Sequence, residues 1–220
     1  MSLQNNQHMK NLLMENLNRI MIQKHDVKQR SLEWEKLRVG KVGGSEALSL
    51  TTPARIKSLL YKKVAEIQTG FQEEIYISAD MQHGIDTEPI AVACYEKETF
   101  QFVEEGLYIT NPKFKYLGLS PDGLVGTNGA IEIKCPKPKQ HCKAIIDETI
   151  PTENRPQIAH YFLVNENLDW VDFVSYCEDV KKKPMYIYKC TREDFVSDIA
   201  KLENGYISFK VKLENFLNKF

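Results

Sequence analysis

At 220 residues, with 42% hydrophobic and 27% charged residues, the chain is long enough for one sizeable core, and neither disorder nor a fibrous class fits that balance. A formal net charge of −1 names no partner, and no apolar run approaches the ~20 residues a membrane span needs; without a basic-then-apolar leader, the expectation is an intracellular, cytoplasmic protein. Five widely spaced cysteines, Cys94, Cys135, Cys142, Cys177 and Cys190, are expected to be free thiols, since the number is odd and Cys135 with Cys142 lacks the partner ligands of a zinc or iron–sulfur site.

In chain order, residues 7 to 23 place Met9, Leu12, Leu13, Leu17, Ile20 and Met21 at helical spacing, which predicts an amphipathic N-terminal helix. A second helix has clear punctuation: Thr52 as cap, Pro53 in the first turn, Ile56, Leu59, Leu60, Val64 and Ile67 on one face, and Gly70 as the stop. The segment from Ile77 to Tyr95 also reads as helical, with Met81, Ile85, Glu88 and Val92 on one stripe and a bend or restart expected at Pro89. From 100 to 135 the pattern changes to strands, "TFQFV", "GLYI", "YLGLS" and "AIEIKC", separated by Asn-Pro, Pro-Asp-Gly and Asn-Gly turns. A helix over Arg155 to Val164 precedes the strands "WVDFVSYC" and "MYIYKC". Thr191 with Asp194 then caps a long last helix carrying Phe195, Ile199, Leu202, Tyr206, Phe209, Leu213 and Phe216. This order gives an α+β or mixed α/β domain over residues 1–220: an N-terminal helix, a core from about 29 to 190, and a C-terminal helix from about 191 to 219.

Chemistry concentrates in "YLGLSPDGLVGTNGAIEIKCP", residues 116 to 136. In a strand "AIEIKC", Ile131, Ile133 and Cys135 share one face while Glu132 and Lys134 share the other. An isolated Glu-x-Lys is most often a solvated strand face. Asp122 changes the weighting, because a hairpin closed at Asn128-Gly129 brings it back towards the same strand. Strict two-residue pairing would set Leu124 opposite Ile133 and aim Asp122 at the core, so a kink or bulge at Pro121-Asp122-Gly123 is expected to turn it towards Glu132. Converging there, the two carboxylates would offer hard oxygen ligands to Mg²⁺, or to Mn²⁺, with the Lys134 ammonium beside a bound water. Such a set suits phosphodiester hydrolysis. The lysines that follow, Lys134, Lys137, Lys139 and Lys143, and the run Lys181 to Lys183, matter only if they flank a cleft.

"SPDGLVGTNGAIEIKCP" resembles the Asp-x(n)-Glu-x-Lys signature of the PD-(D/E)xK nuclease superfamily, and its words "SPDGL" and "EIKCP" are similar to the YqaJ-type phage and viral recombination exonucleases, the lambda exonuclease group. Three further blocks resemble that family in the same order: "QRSLEWEKLRVGKVGGSEA" (29 to 47), "MQHGIDTEPIA" (81 to 91) and "NRPQIAHYFLV" (154 to 164). The resemblance implies a restriction-endonuclease-like core, a central mixed sheet flanked by helices. It implies that Asp122, Glu132 and the carbonyl of Ile133 bind metal, that Lys134 assists the attacking water, that Glu88 completes the shell, and that Arg38 and Ser45 hold the phosphate of a DNA end. A Gly43-Gly44-Ser45 turn would suit the last role by presenting backbone N–H groups to an anion. Gln157 matches the family's first helical glutamine, while Ala159 stands where a second is usual; Gln157 and Tyr161, one turn apart, are expected to touch substrate. The activity implied is a Mg²⁺-dependent 5′-to-3′ exonuclease acting on double-stranded DNA ends, of phage, prophage or viral origin, passing single strands to an annealing protein and assembling as a trimeric ring. Competing readings are a repair or restriction-type endonuclease of the same superfamily, and a non-catalytic DNA-binding module held by its lysines.

Overall fold

The helices begin and end where the sequence punctuates them. In the computed structural model, which describes residues 22–73 and 76–220, α1 (Leu32–Arg38) starts at Ser31, whose Oγ accepts from the Trp34 N–H. Helix α2 (Pro53–Thr69) is opened by Thr52 and closed by Gly70 in the left-handed region at φ +76°. Helix α3 (Ala79–Thr99) runs unbroken through Pro89, where a bend or restart was expected; Pro89 is exposed, and on that side a carbonyl without its helical partner can turn to water. Its buried stripe is Thr87, Ala91, Val92 and Tyr95, and Met81 faces out. Helix α4 (Pro138–Asp147) is an addition to the sequence-based expectations, and α5 (Arg155–Val164) has the expected bounds. Thr191 and Asp194 do pair, with Thr191 Oγ1 donating to Asp194 Oδ2 at 2.6 Å, but a 3₁₀ turn at Glu193–Phe195 intervenes before α6 (Val196–Leu217).

Strands β2 (Val103–Glu104), β4 (Gly123–Val125), β5 (Gly129–Lys134), β6 (Trp170–Tyr176) and β7 (Met185–Thr191) form one sheet in the order β2-β4-β5-β6-β7. Its pairs are antiparallel except β5 with β6, the step bridged by α4 and α5. A separate antiparallel ribbon joins β1 (Gln23–Asp26) to β3 (Leu107–Thr110). Gln23 is thus already in a strand, and the remainder of the expected N-terminal helix, residues 7–21, lies outside the described residues. Of "TFQFV" only Val103 enters a strand, because α3 extends to Thr99 and Phe100 and Phe102 are exposed. "YLGLS" is buried without forming a strand: Leu117 bridges to Val42 and Leu119 to Ile109 singly.

The sheet has two unlike faces. Ile131 and Ile133 of β5 pack with Ala91, Val92 and Tyr95 of α3 and with Val174 of β6. On the other side Leu124, Ala130, Val171 and Phe173 join a larger core with α2, α5 and α6. Gly205 lets α6 lie close: a Cβ there would sit 2.0 Å from the Leu50 carbonyl oxygen. The even positions of β5 therefore face α5 rather than open water. Among the described residues no helix is long and apolar enough to cross a membrane.

Candidate active site

A change of hairpin register, rather than a bulge, brings Asp122 to Glu132. Val125 pairs with Gly129, Leu124 with Ala130 and Gly123 with Ile131, so Gly126, Thr127 and Asn128 form a three-residue loop, with Gly126 at φ +59°. Leu124 is opposite Ala130, not Ile133. Continuing that register one residue sets Asp122 opposite Glu132, and directly opposed residues share a face. The Ile133 N–H donates to Asp122 Oδ2 at 2.6 Å, fixing the carboxylate at the end of the strand.

Glu132 is almost wholly buried, and three donors converge on it. Lys134 Nζ and Gln157 Nε2 each lie 2.6 Å from Oε1, and the Tyr161 hydroxyl donates to Oε2 at 2.6 Å. The Asp122 N–H in turn donates to Tyr161 Oη at 3.3 Å, so one phenol ties both acids together. Tyr161 is fully buried and does not reach a surface where substrate could touch it, contrary to the sequence-based expectation; its place one turn beyond Gln157 points it at the carboxylate instead.

The electrostatics are unbalanced. Burial, then the charges of Glu132 and Glu88, push the Asp122 carboxyl well above its usual range. Burial likewise raises Glu88, opposed by Arg30 and reinforced by Glu132 and Glu105. Burial by itself would lower the Lys134 ammonium, but Glu132 and Asp122 outweigh it and hold it above its ordinary value. Lys134 is therefore a hydrogen-bond donor here. Among the described residues no three His, Cys, Asp or Glu side chains are grouped closely enough to hold a metal ion, so Glu88 does not close a three-carboxylate cage around Asp122 and Glu132 in this arrangement. What fits a hard divalent cation is the oxygen chemistry of Asp122, Glu132 and the Ile133 carbonyl, together with the crowding of Asp122 by the like charges of Glu132 and Glu88.

The phosphate-binding candidates approach the same place from α1. The Arg38 guanidinium stacks 4.0 Å over the Trp34 ring, and Trp34 Nε1 donates to Ser120 Oγ at 3.0 Å, joining the N-terminal block to "SPDGL". Gly43 and Gly44 lead into a 3₁₀ helix, Gly44–Leu50, and Ser45 is exposed at its start. A Cβ on Gly43 would lie 3.7 Å from Arg38 Nη2, and one on Gly44 would lie 3.4 Å from Gln157 Cγ. Gln157 thus spans from the glycine turn to Glu132. Sequence reasoning passed over Gln29, which donates to the Pro121 carbonyl at 3.3 Å, and Arg30, a non-glycine residue at φ +64° whose charge acts on Glu88. Their only signal was a place inside the first matched block. Of the lysines beyond Lys134, Lys137 pairs with Asp80 at 2.8 Å and Lys143 with Asp147, both on the surface.

Comparison with known proteins places the fold in a family. A YqaJ-like viral recombinase domain matches residues 33–167. An alkaline exonuclease, LHK-Exo from Laribacter hongkongensis, is 32% identical with a TM-score of 0.78, covering 86% of this chain and 95% of its own; its complex with dAMP matches equally. A phage-related exonuclease from Haemophilus somnus 129PT, 13% identical with a TM-score of 0.54 over 80% of this chain and 96% of its own, shares the fold. No curated protein sequence matches. The mixed five-stranded sheet with flanking helices is the restriction-endonuclease-like core that the signature implied. The chain belongs to the YqaJ-like viral recombinase family.

Proposed function

We propose that this protein is a metal-dependent DNA exonuclease that hydrolyses phosphodiester bonds from duplex ends in the 5′-to-3′ direction, leaving single strands for recombination. The observation that carries the reading is the meeting of Asp122, Glu132 and Lys134 at the end of β5, next to a glycine turn and Arg38 that suit an end phosphate. Family membership and the likeness to an alkaline exonuclease support it.

Asp122, Glu132 and the Ile133 carbonyl would hold Mg²⁺, or Mn²⁺, which when bound stabilises the attacking and leaving oxygens. Tyr161, whose hydroxyl is kept protonated by burial and by Glu132, and Gln157 fix the Glu132 carboxylate so that it does not swing. Lys134 stays charged, orients the attacking water and offsets charge building on the phosphoryl oxygens. Glu88, whose charge acts on Asp122 and Lys134, would be a further partner for that water. Arg38 and Ser45, at the turn that follows Gly43 and Gly44, would grip the terminal phosphate and set the scissile bond one step inside. A single-strand annealing protein would take the product, and a ring of three copies would keep the duplex threaded.

Digestion of a 5′-phosphorylated linear duplex and of the same DNA as a closed circle, with Mg²⁺ or EDTA, tests this. Loss of the linear DNA alone, only with metal, and not by Lys134→Ala, is expected. Nicked circles would make the protein an endonuclease, and DNA bound but never cut would make it a binding module.

A further inference from the structure

Behind the phosphate turn lies a cluster of charges that the reaction does not use. Lys63 and Glu66, both wholly buried, sit on the inner face of α2 with Lys63 Nζ 3.0 and 3.1 Å from the two Glu66 oxygens. Lys63 also reaches Glu46 Oε2 at 2.9 Å, and Lys62 reaches Glu46 Oε1 at 2.7 Å. Two acids thus face two lysines. Burial pushes the Glu46 carboxyl up, but Lys63 and Lys62 outweigh it and hold it below its usual range.

Each acid spends an oxygen on the loop. The Gly40 N–H donates to Glu66 Oε2 at 3.0 Å, and the Gly43 N–H donates to Glu46 Oε2 at 3.2 Å. Gly40 is at φ +69°, where a Cβ would meet Ile67 Cγ1 at 2.5 Å. Between these anchors Val42 is pinned to the Tyr116 carbonyl and the Gly118 N–H, at 2.8 and 3.1 Å. Stability does not account for such a choice, because α2 packs this face with Ile56, Leu59 and Leu60, and apolar residues of similar volume in place of a buried ion pair are commonly neutral or stabilising. What the ions supply that apolar side chains cannot is an acceptor for each loop amide, held in place by a lysine.

We propose that Glu46, Lys62, Lys63 and Glu66 are positioning residues that preform the Arg38–Ser45 loop for a DNA end phosphate, and that the preference for a phosphorylated end depends on them. This rests on the functional reading above. None of the four touches substrate; they act through the Gly40 and Gly43 amides and the turn that follows.

The test compares kcat and KM on linear duplexes ending in 5′-phosphate or 5′-hydroxyl for wild type, the double variant Lys63→Met/Glu66→Leu, Glu46→Ala, Glu66→Gln and Arg38→Ala, each checked for folding by thermal melting. Wild type should favour the phosphorylated end, and Arg38→Ala should lose that preference. The double variant should lose about tenfold of it, through KM, while cutting the hydroxyl end within about twofold of wild type. Glu66→Gln keeps an acceptor for Gly40 and should keep the preference. If the double variant does not fold, Glu46→Ala, at a partly exposed position, decides by the same criterion. A folded Lys63→Met/Glu66→Leu or Glu46→Ala protein with its preference intact, or one that loses both substrates equally, overturns the proposal, as does a wild type that cuts without preferring phosphate. A wild type that cuts no DNA defeats the functional reading first, and this inference with it.

Discussion

Gln157 and the glycine turn link two clusters of charge, one at the end of β5 and one behind that turn, and burial acts on the carboxyls of both in the same direction. Their outcomes are opposite. Asp122, with Glu132 and Glu88 as neighbours against Lys134, is pushed up, whereas Glu46, between Lys62 and Lys63, is held down. A cluster whose charges cancel is finished in the folded chain and serves as a support. One left with surplus acid suits the divalent cation proposed above. The difference separates the proposed catalytic group from its scaffold, although both consist of carboxylates and lysines.

Removing a charge should therefore have contrary effects at the two places. Asp122→Asn keeps an acceptor for the Ile133 N–H but deletes the surplus charge; nuclease activity should fall by at least about 10³-fold. In the absence of metal the variant should melt about 2–4 °C higher than wild type, since a like-charge contact is gone. Glu66→Leu by itself leaves the Lys63 ammonium half-paired in the core and should cost about 3–5 kcal/mol in urea denaturation. If both substitutions shift stability in the same direction, the contrast fails.

A third group lies between the two clusters. His160 donates from Nε2 to the Gly118 carbonyl at 2.9 Å, and its Nδ1 is buried without a hydrogen-bond partner among the described residues. Burial lowers its pKa to about 4 against the pull of Gly118 and Glu46. The folded value lies below the unfolded one, so the stability it contributes is complete above pH ~6.5 and is lost as pH falls from there towards 4, by about 3 kcal/mol. His160→Gln should flatten that part of the stability curve when urea midpoints are compared across this range. The smallest effect belongs to Tyr161→Phe, which frees Glu132 from one of its three donors: about 1 kcal/mol of stability and about tenfold in activity, the latter through metal affinity.

Local signals reached the sequence and long-range ones did not. Thr52-Pro53 and Gly70 bound α2, and α5 ends where it was read, because caps and prolines act within a turn. Asp122, Glu132 and Lys134 were found as a set through their motif, but the three-residue loop that unites them was not, since Asn128-Gly129 looks like a tight two-residue turn. Helix α4 was missed in "KPKQHCKAIIDE", where three lysines and Pro138 mask the buried His141 and Ala144. The buried ion cluster had a signal that went unused: Lys63 follows Leu59 and Leu60 by four and three positions, so it continues the inner stripe of α2. Tyr161 was expected at the substrate because it follows Gln157 by one helical turn, a spacing that shows a shared face but not that the face is buried.

The central claim, that the end of β5 carries an excess of negative charge meant for a divalent cation, is tested most directly by thermal unfolding of wild type and Asp122→Asn with and without Mg²⁺ or Mn²⁺. The account predicts that metal raises the wild-type melting temperature, that Asp122→Asn raises it without metal, and that the variant then hardly responds to metal. A wild type indifferent to both ions, or an Asp122→Asn protein that melts lower and still responds, would contradict it.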